Sequence, residues 1–224
     1  MSINKLSLRA LAVCVIITGP GLSMSGPRSN TISSLDTNEQ THLEFMREEE
    51  KLARDVYLTL GTLYPNSPVF GKIDDSEQRH TDIVKAKLLQ YGVADPNTND
   101  NIGVYTGQDY GWYFEEKYKA LVELAAVSEL DAMYVGAFIE ELDMLDISQC
   151  PKVIVETDNA IDDTPLCGLV YTDKKDLQEV YYSLLDGSES HLRSYVRNIE
   201  AIIGKGNYEA QVLSQTEVDI ILGR

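Results

Sequence analysis

Basic residues are scarce in this 224-residue sequence: 19 Lys and Arg stand against 36 Asp and Glu. Nucleic acids are bound through basic surfaces, so no nucleic-acid partner is expected. Long hydrophobic runs are lacking too. The most apolar stretch, Ala10 to about Leu22, is short for a bilayer span and is broken by Gly19, Pro20 and Gly21. No stable membrane insertion is therefore expected. There is no internal repeat and no low-complexity tract. Histidine and cysteine are equally rare, three of each, so the position of each one carries weight.

The N-terminal stretch has its own logic. Lys5 and Arg9 precede the apolar run, and the small residues Ser23 and Ser25 follow it in the pattern of a signal-peptidase site. Residues 1–25 are expected to be a signal peptide, which places the protein in the periplasm or outside the cell. Residues 26–37, rich in Ser, Asn and Thr, read as a flexible leader. The remaining 38–224 read as one helical domain. Its two cysteines, Cys150 and Cys167, are expected to form a disulfide in an oxidising compartment. Such a loop closure stabilises by about 3 kcal/mol in the chain-entropy model.

Helical periodicity dominates the domain. Helix one begins at an N-cap at Asp36 or Thr37 and runs to about Leu60. Its stripe includes Leu43, Met46, Ala53 and Tyr57, and Glu49 and Glu50 fall on or beside it. Glu44, Glu48, Lys51 and Asp55 are expected to face solvent, and His42 likewise. Helix two spans about 69–91 and ends at Gly92. A long loop and a short extra helix, about 112–126, lead to Ser128 as N-cap of helix three, about 129–147. Helix three is apolar nearly all round, so at least one of Glu140, Glu141 and Asp143 must turn inward. An insertion, 148–172, is expected to be a loop or hairpin carrying the disulfide. Helix four runs from about Asp173 to Ile203, and Gly187 inside it signals a kink or a close neighbour. A tail from Asn207 adds a short helix or turn.

Three polar patterns then converge. Ser76 to His80 reads S-E-Q-R-H, which places Glu77 and His80 one turn apart on the core stripe of helix two. His191 lies on the core stripe of helix four. Burying carboxylates and imidazoles costs several kcal/mol unless they are paired or bind a metal. Carboxylates and histidines from facing helices build two-metal sites in four-helix bundles. The candidate ligands are Glu50, Glu77, His80, Glu140, Asp143 and His191, with Glu77 or Glu140 bridging. Tyr57, Tyr181 and Tyr195 are candidate supporting donors. This ligand mix suits iron or manganese, and zinc or copper also fall within its range. A structural network with Arg54 or Arg79 is the alternative for Glu77 and His80.

The same residues carry a resemblance. E-K-L-A-R-D-V-Y, Glu50 to Tyr57, resembles the E-x-x-A-R-x-x-Y of the first rubrerythrin helix. More closely, M-R-E-E-E-K-L-A-R-D-V-Y, S-E-Q-R-H, V-G-A-F-I-E-E-L-D, G-S-E-S-H-L-R and the Tyr208 to Ser214 pattern Y-x-x-Q-x-L-S resemble an uncharacterised ferritin-like family, domain of unknown function 2202. The resemblance covers about residues 40–222 apart from the insertion. It implies a ferritin-like fold; with the helices and cysteines read above, the expectation is an all-α fold, a ferritin-like four-helix bundle with a short extra helix and a disulfide-bearing insertion between helices three and four. It also implies Glu50, Glu77, His80, a helix-three acid and His191 as ligands. One departure stands out: ferritin-like proteins carry Glu-x-x-His in helix four, and here Ser188 occupies the Glu position. Asp143, one turn after Glu140, is the expected substitute.

The functional expectation is an exported metalloprotein with a di-iron or manganese core that takes oxygen, peroxide or ferrous iron as reaction partner. A homo-oligomer is compatible with it. A non-enzymatic metal-binding or structural helical protein is the alternative.

Overall fold

The computed structural model describes residues 34–157 and 166–224. The signal-peptide reading, most of the leader and the middle of the insertion lie outside the described residues. Among those described, all regular structure is helical. The elements are α1 (Thr37–Leu63), α2 (Phe70–Tyr91), α3 (Gly111–Ala125), α4 (Glu129–Ser148), α5 (Lys152–Thr157), α6 (Lys175–Ile203) and α7 (Gln215–Leu222). Three short helices thus accompany the four long ones: α3 is the expected extra helix, α7 lies in the tail where a short helix or turn was expected, and α5 was not expected. The insertion, expected to be a loop or hairpin, contains α5.

Local chemistry fixes the helix ends. Asp36 Oδ1 accepts from Glu39 N at 2.9 Å, and Glu39 Oε2 accepts from Asp36 N at 3.0 Å, a reciprocal cap worth about 1 kcal/mol. Ser128 caps α4 in the same sense, accepting from Asp131 N at 3.1 Å. Gly92 ends α2 at φ 72°, a left-handed turn that glycine adopts without strain.

The long helices pack in antiparallel neighbours. Arg47 meets Thr81 and Arg54 meets Gln78, so α1 and α2 run in opposite directions. Asp143 meets Ser188 and Glu140 meets His191, which sets α4 against α6 in the same way. His42 with Asp146, and Tyr57 with Glu140, join α1 to α4. Glu77 with His191 joins α2 to α6. Leu43, Met46, Val56, Val84, Phe114, Ile147, Leu184, Leu192 and Ile199 fill the space between them and are buried. The sulfurs of Cys150 and Cys167 lie 1.98 Å apart, a covalent bond that ties the end of α4 to the chain entering α6.

The face of α1 expected to meet solvent is covered. Glu48, Lys51 and Asp55 are buried, and so is Arg54. The cover is the 92–110 loop together with α3. Lys51 Nζ lies 2.5 Å from Asp55 and donates to Asn101 O at 2.9 Å. Gly103 N donates to Asp55 at 2.9 Å, and Arg54 holds Asp100 at 2.9 Å. Gly107 N donates to Glu48 at 3.2 Å, and a Cβ at 107 would overlap that carboxylate. The hydrophobic period located the apolar side of α1. It could not reveal that the polar side would find a loop with matching donors. Buried pairs of this kind cost about 3–5 kcal/mol to break from one side.

Candidate metal centre

The six candidate side chains are brought to one place in the middle of the four long helices, each less than a tenth exposed. Glu50 comes from α1, Glu77 and His80 from α2, Glu140 and Asp143 from α4, and His191 from α6. Glu77 sits at the centre. One of its oxygens lies 3.0 Å from His80 Nδ1, and the other lies 2.7 Å from His191 Nδ1. Glu50 approaches His80 Nδ1 at 3.3 Å from one side, and Glu140 approaches His191 Nδ1 at 3.4 Å from the other. Two groups of possible ligands result, Glu50–Glu77–His80 and Glu77–Glu140–His191, and Glu77 belongs to both. The two imidazole rings are 5.7 Å apart.

Asp143 stands beside this chain rather than in either group. Ser188 Oγ donates to its Oδ2 at 2.5 Å, while Asp143 Oδ1 and Glu50 Oε1 are buried without a hydrogen-bond partner. Ser188 therefore does not leave a gap. It turns toward Asp143, the acid expected to replace the missing helix-four carboxylate. Tyr57 donates to Glu140 at 2.6 Å, as expected of a supporting donor. Tyr181 does not support the site; it bonds His42 instead. The close neighbour of Gly187 is the His80 ring, which a Cβ at 187 would overlap. Arg54 and Arg79 have no part in the cluster: Arg54 is committed to Asp55 and Asp100, and Arg79 is exposed.

Without a cation, the histidines carry the positive charge. Burial opposes protonation of His80, but the charge and hydrogen bonds of Glu50 and Glu77 outweigh it and hold the ring up at about 12. His191 is held at about 10 by Glu140 and Glu77 against the same burial. Burial pushes Glu77 up, yet the hydrogen bonds from both imidazoles bring it down to about 2. Burial raises Glu50 to about 7 and pushes Asp143 well above the carboxylate range. Without a cation, protons on the two imidazoles and on the raised carboxyls thus keep the charge in balance.

Sequence reasoning misplaced His42, missed Asp146, and left Glu49 and Glu141 as inward candidates without partners. His42, expected at the surface, is fully buried. Its Nε2 contacts Asp146 O at 2.8 Å, a carbonyl that only accepts, so Nδ1 takes the Tyr181 hydroxyl proton at 2.7 Å. Burial lowers this imidazole to about 4, so it is neutral. Glu141 is fully buried but outside the site. It accepts from Tyr208 OH at 2.7 Å and from the backbone N–H of Gln211, Val212 and Leu213 at 2.7–3.0 Å. The Tyr208 to Ser214 pattern is the other half of that contact. Glu49 is buried next to Glu50, and it shares a hydrogen bond with Asp146. The spacing of Asp146 three residues after Asp143 was the available signal.

Residues 39–224 match the family model described as an uncharacterized protein domain, DUF2202. The uncharacterized protein MJ0754 of Methanocaldococcus jannaschii is 40% identical over 188 residues, which span 84% of this chain and 88% of that protein. The crystal structure of the hypothetical protein MJ0754 superposes with a TM-score of 0.71 at 38% identity, covering 86% of this chain and 96% of that one.

Proposed function

The chain belongs to the family of the uncharacterized domain DUF2202, and from the chemistry of its core we propose that it is an exported ferritin-like metalloprotein. In this reading the four long helices form a ferritin-like four-helix bundle. Glu50, Glu77, His80, Glu140, Asp143 and His191 would hold one or two iron or manganese ions. The observation that carries the reading is Glu77, which presents one oxygen to each of two histidines on facing helices.

The donor set fits such ions. Oxygen and imidazole ligands suit iron and manganese. Two divalent cations with neutral imidazoles would balance four ionised carboxylates, taking over the role that protons on the histidines and acids otherwise play. The unpartnered oxygens of Glu50 and Asp143 are free to serve as ligands. Bound iron or manganese would supply electron transfer to or from oxygen, peroxide or ferrous iron. The chain's own contribution would be to fix the carboxylates, to orient Glu140 through Tyr57 and Asp143 through Ser188, and to exclude water. The Cys150–Cys167 bond supports an oxidising location, periplasmic or extracellular.

Ser188 in place of a carboxylate favours a second reading, a metal-binding protein without turnover. Metal content of the purified protein, compared with Glu77→Ala and His191→Ala, tests both readings. Stoichiometric iron or manganese, lost in each variant, is the expected result. Oxygen- or peroxide-dependent turnover selects the enzyme. Metal-free protein with unaltered stability in both variants sinks the metal reading altogether.

A further inference from the structure

The core acids continue outward in one direction. Asp146 lies on α4 three residues after Asp143, and Glu49 precedes Glu50 on α1. Both are at least nine-tenths buried. Glu49 and Asp146 face each other across the α1–α4 contact within hydrogen-bonding reach, and the charges of Asp143 and Glu50 lie close enough to act on Glu49. Glu49 Oε2 has no donor directed at it. Glu49 lines a narrow cavity of about 10 Å³, roughly the space one water or small ion needs. Asp146 lines a neighbouring cavity of about 270 Å³ that reaches the exposed Lys152. Tyr113, Lys117, Phe138 and Leu142 line both cavities.

We propose that Glu49 and Asp146 form a transit site for divalent cations, leading from the cavity beside Lys152 to Asp143 and Glu50 at the core. This deepens the metal reading above and rests on it. Two facing acids in an apolar wall need something positive between them. A cation in passage can fill that role. Phe138 and Leu142 line both cavities, and Glu49 and Asp146 are the acids that line them, so the acids are the stepping points. Lys117 guards the mouth. Its ammonium lies 5.3 Å from the centre of the Tyr113 ring, and its charge acts on Asp146. It has an aromatic face to rest on when an incoming ion approaches the carboxylate.

The test is the rate of cobalt(II) uptake by the metal-free protein, followed in a stopped-flow instrument by the visible absorption of bound cobalt. Glu49→Gln with Asp146→Asn keeps the shape and removes the charge. Loading is expected to slow at least about tenfold, the lower end of what a charged route contributes to an on-rate, with an unchanged final stoichiometry. Lys117→Met is expected to load faster than wild type. Loading of the double variant at the wild-type rate overturns the route. So does a lower end-point reached at the wild-type rate, which would make the pair ligands. Wild-type protein that takes up no cobalt overturns the metal reading itself, and the two failures are thereby distinct. Should circular dichroism show the double variant unfolded, Asp146→Asn alone carries the same comparison, with a slowing of about threefold.

Discussion

Replacing Gly187 by alanine probes the tightest approach between α6 and the site. An added Cβ would fall on the Cε1 and Nε2 side of the His80 ring, well inside contact distance. The ring has little room to retreat, because its Nδ1 is held 3.0 Å from Glu77 and 3.3 Å from Glu50 on the opposite side. Two effects compete. Helix propensity favours alanine over glycine by about 1 kcal/mol. An extra methyl group forced into a packed site costs about 1–3 kcal/mol. The steric effect wins here, since the atoms met belong to a pinned ring and not to the end of a flexible chain. A net loss of up to about 2 kcal/mol is expected, or up to about 8 °C in Tm for a chain of this size. Gly61→Ala is the internal control. Its nearest neighbour would be Phe70 Cβ at 3.9 Å, an ordinary contact, so propensity alone acts and stability rises by up to about 1 kcal/mol. Thermal melts of both variants in chelator-treated buffer, with metal content measured in parallel, make the comparison. If Gly187→Ala gains stability as Gly61→Ala does and keeps full metal content, the reasoning about His80 is refuted.

Two further outcomes follow from the buried charges. Stability of the metal-free protein is expected to fall as pH rises from 6 to 9, read as the urea midpoint. His80 and His191 are raised to about 12 and about 10, so their contribution is complete below 6.5 and drains away above it; Glu50, raised to about 7, adds a loss between 4.5 and 7, while Glu77, lowered to about 2, acts only as pH drops below 4.5. A midpoint that climbs across this range would contradict the charge assignment. Glu141→Ala removes the acceptor of three backbone N–H groups and the Tyr208 hydroxyl. It should cost about 3 kcal/mol and expose residues 204–214 to limited proteolysis, and an uncut tail in the variant would show that other contacts hold it.

The helices were legible because each begins or ends on a residue whose chemistry is local: Asp36, Ser128 and Gly92 act on backbone within a turn of themselves. The convergence of Glu50, Glu77, His80, Glu140 and His191 was legible because polar residues on an apolar stripe demand partners. The opposite face of α1 was not. A helix whose polar side meets water and one whose polar side meets a loop have the same period, and only the 92–110 segment decides between them. His42 was misread for the same reason, since its partners, Tyr181 and the carbonyl of Asp146, lie more than a hundred residues away. The role of Glu141 was hidden because its partners are mostly backbone N–H groups, which no side-chain pattern announces.

The division of the site along the chain bears on how the molecule assembles. Glu50, Glu77 and His80 all belong to α1 and α2, which a short connection brings together early. Glu140, Asp143 and His191 belong to α4 and α6. Each half can form from its own contacts, and each then presents two carboxylates and one imidazole on its inner wall. Docking brings Glu77 of one wall against the protonated His191 of the other, an attraction that a medium of low dielectric strengthens. Assembly is therefore favoured where those imidazoles hold their protons, and the acidity of the surrounding solution becomes an ingredient of the finished interior.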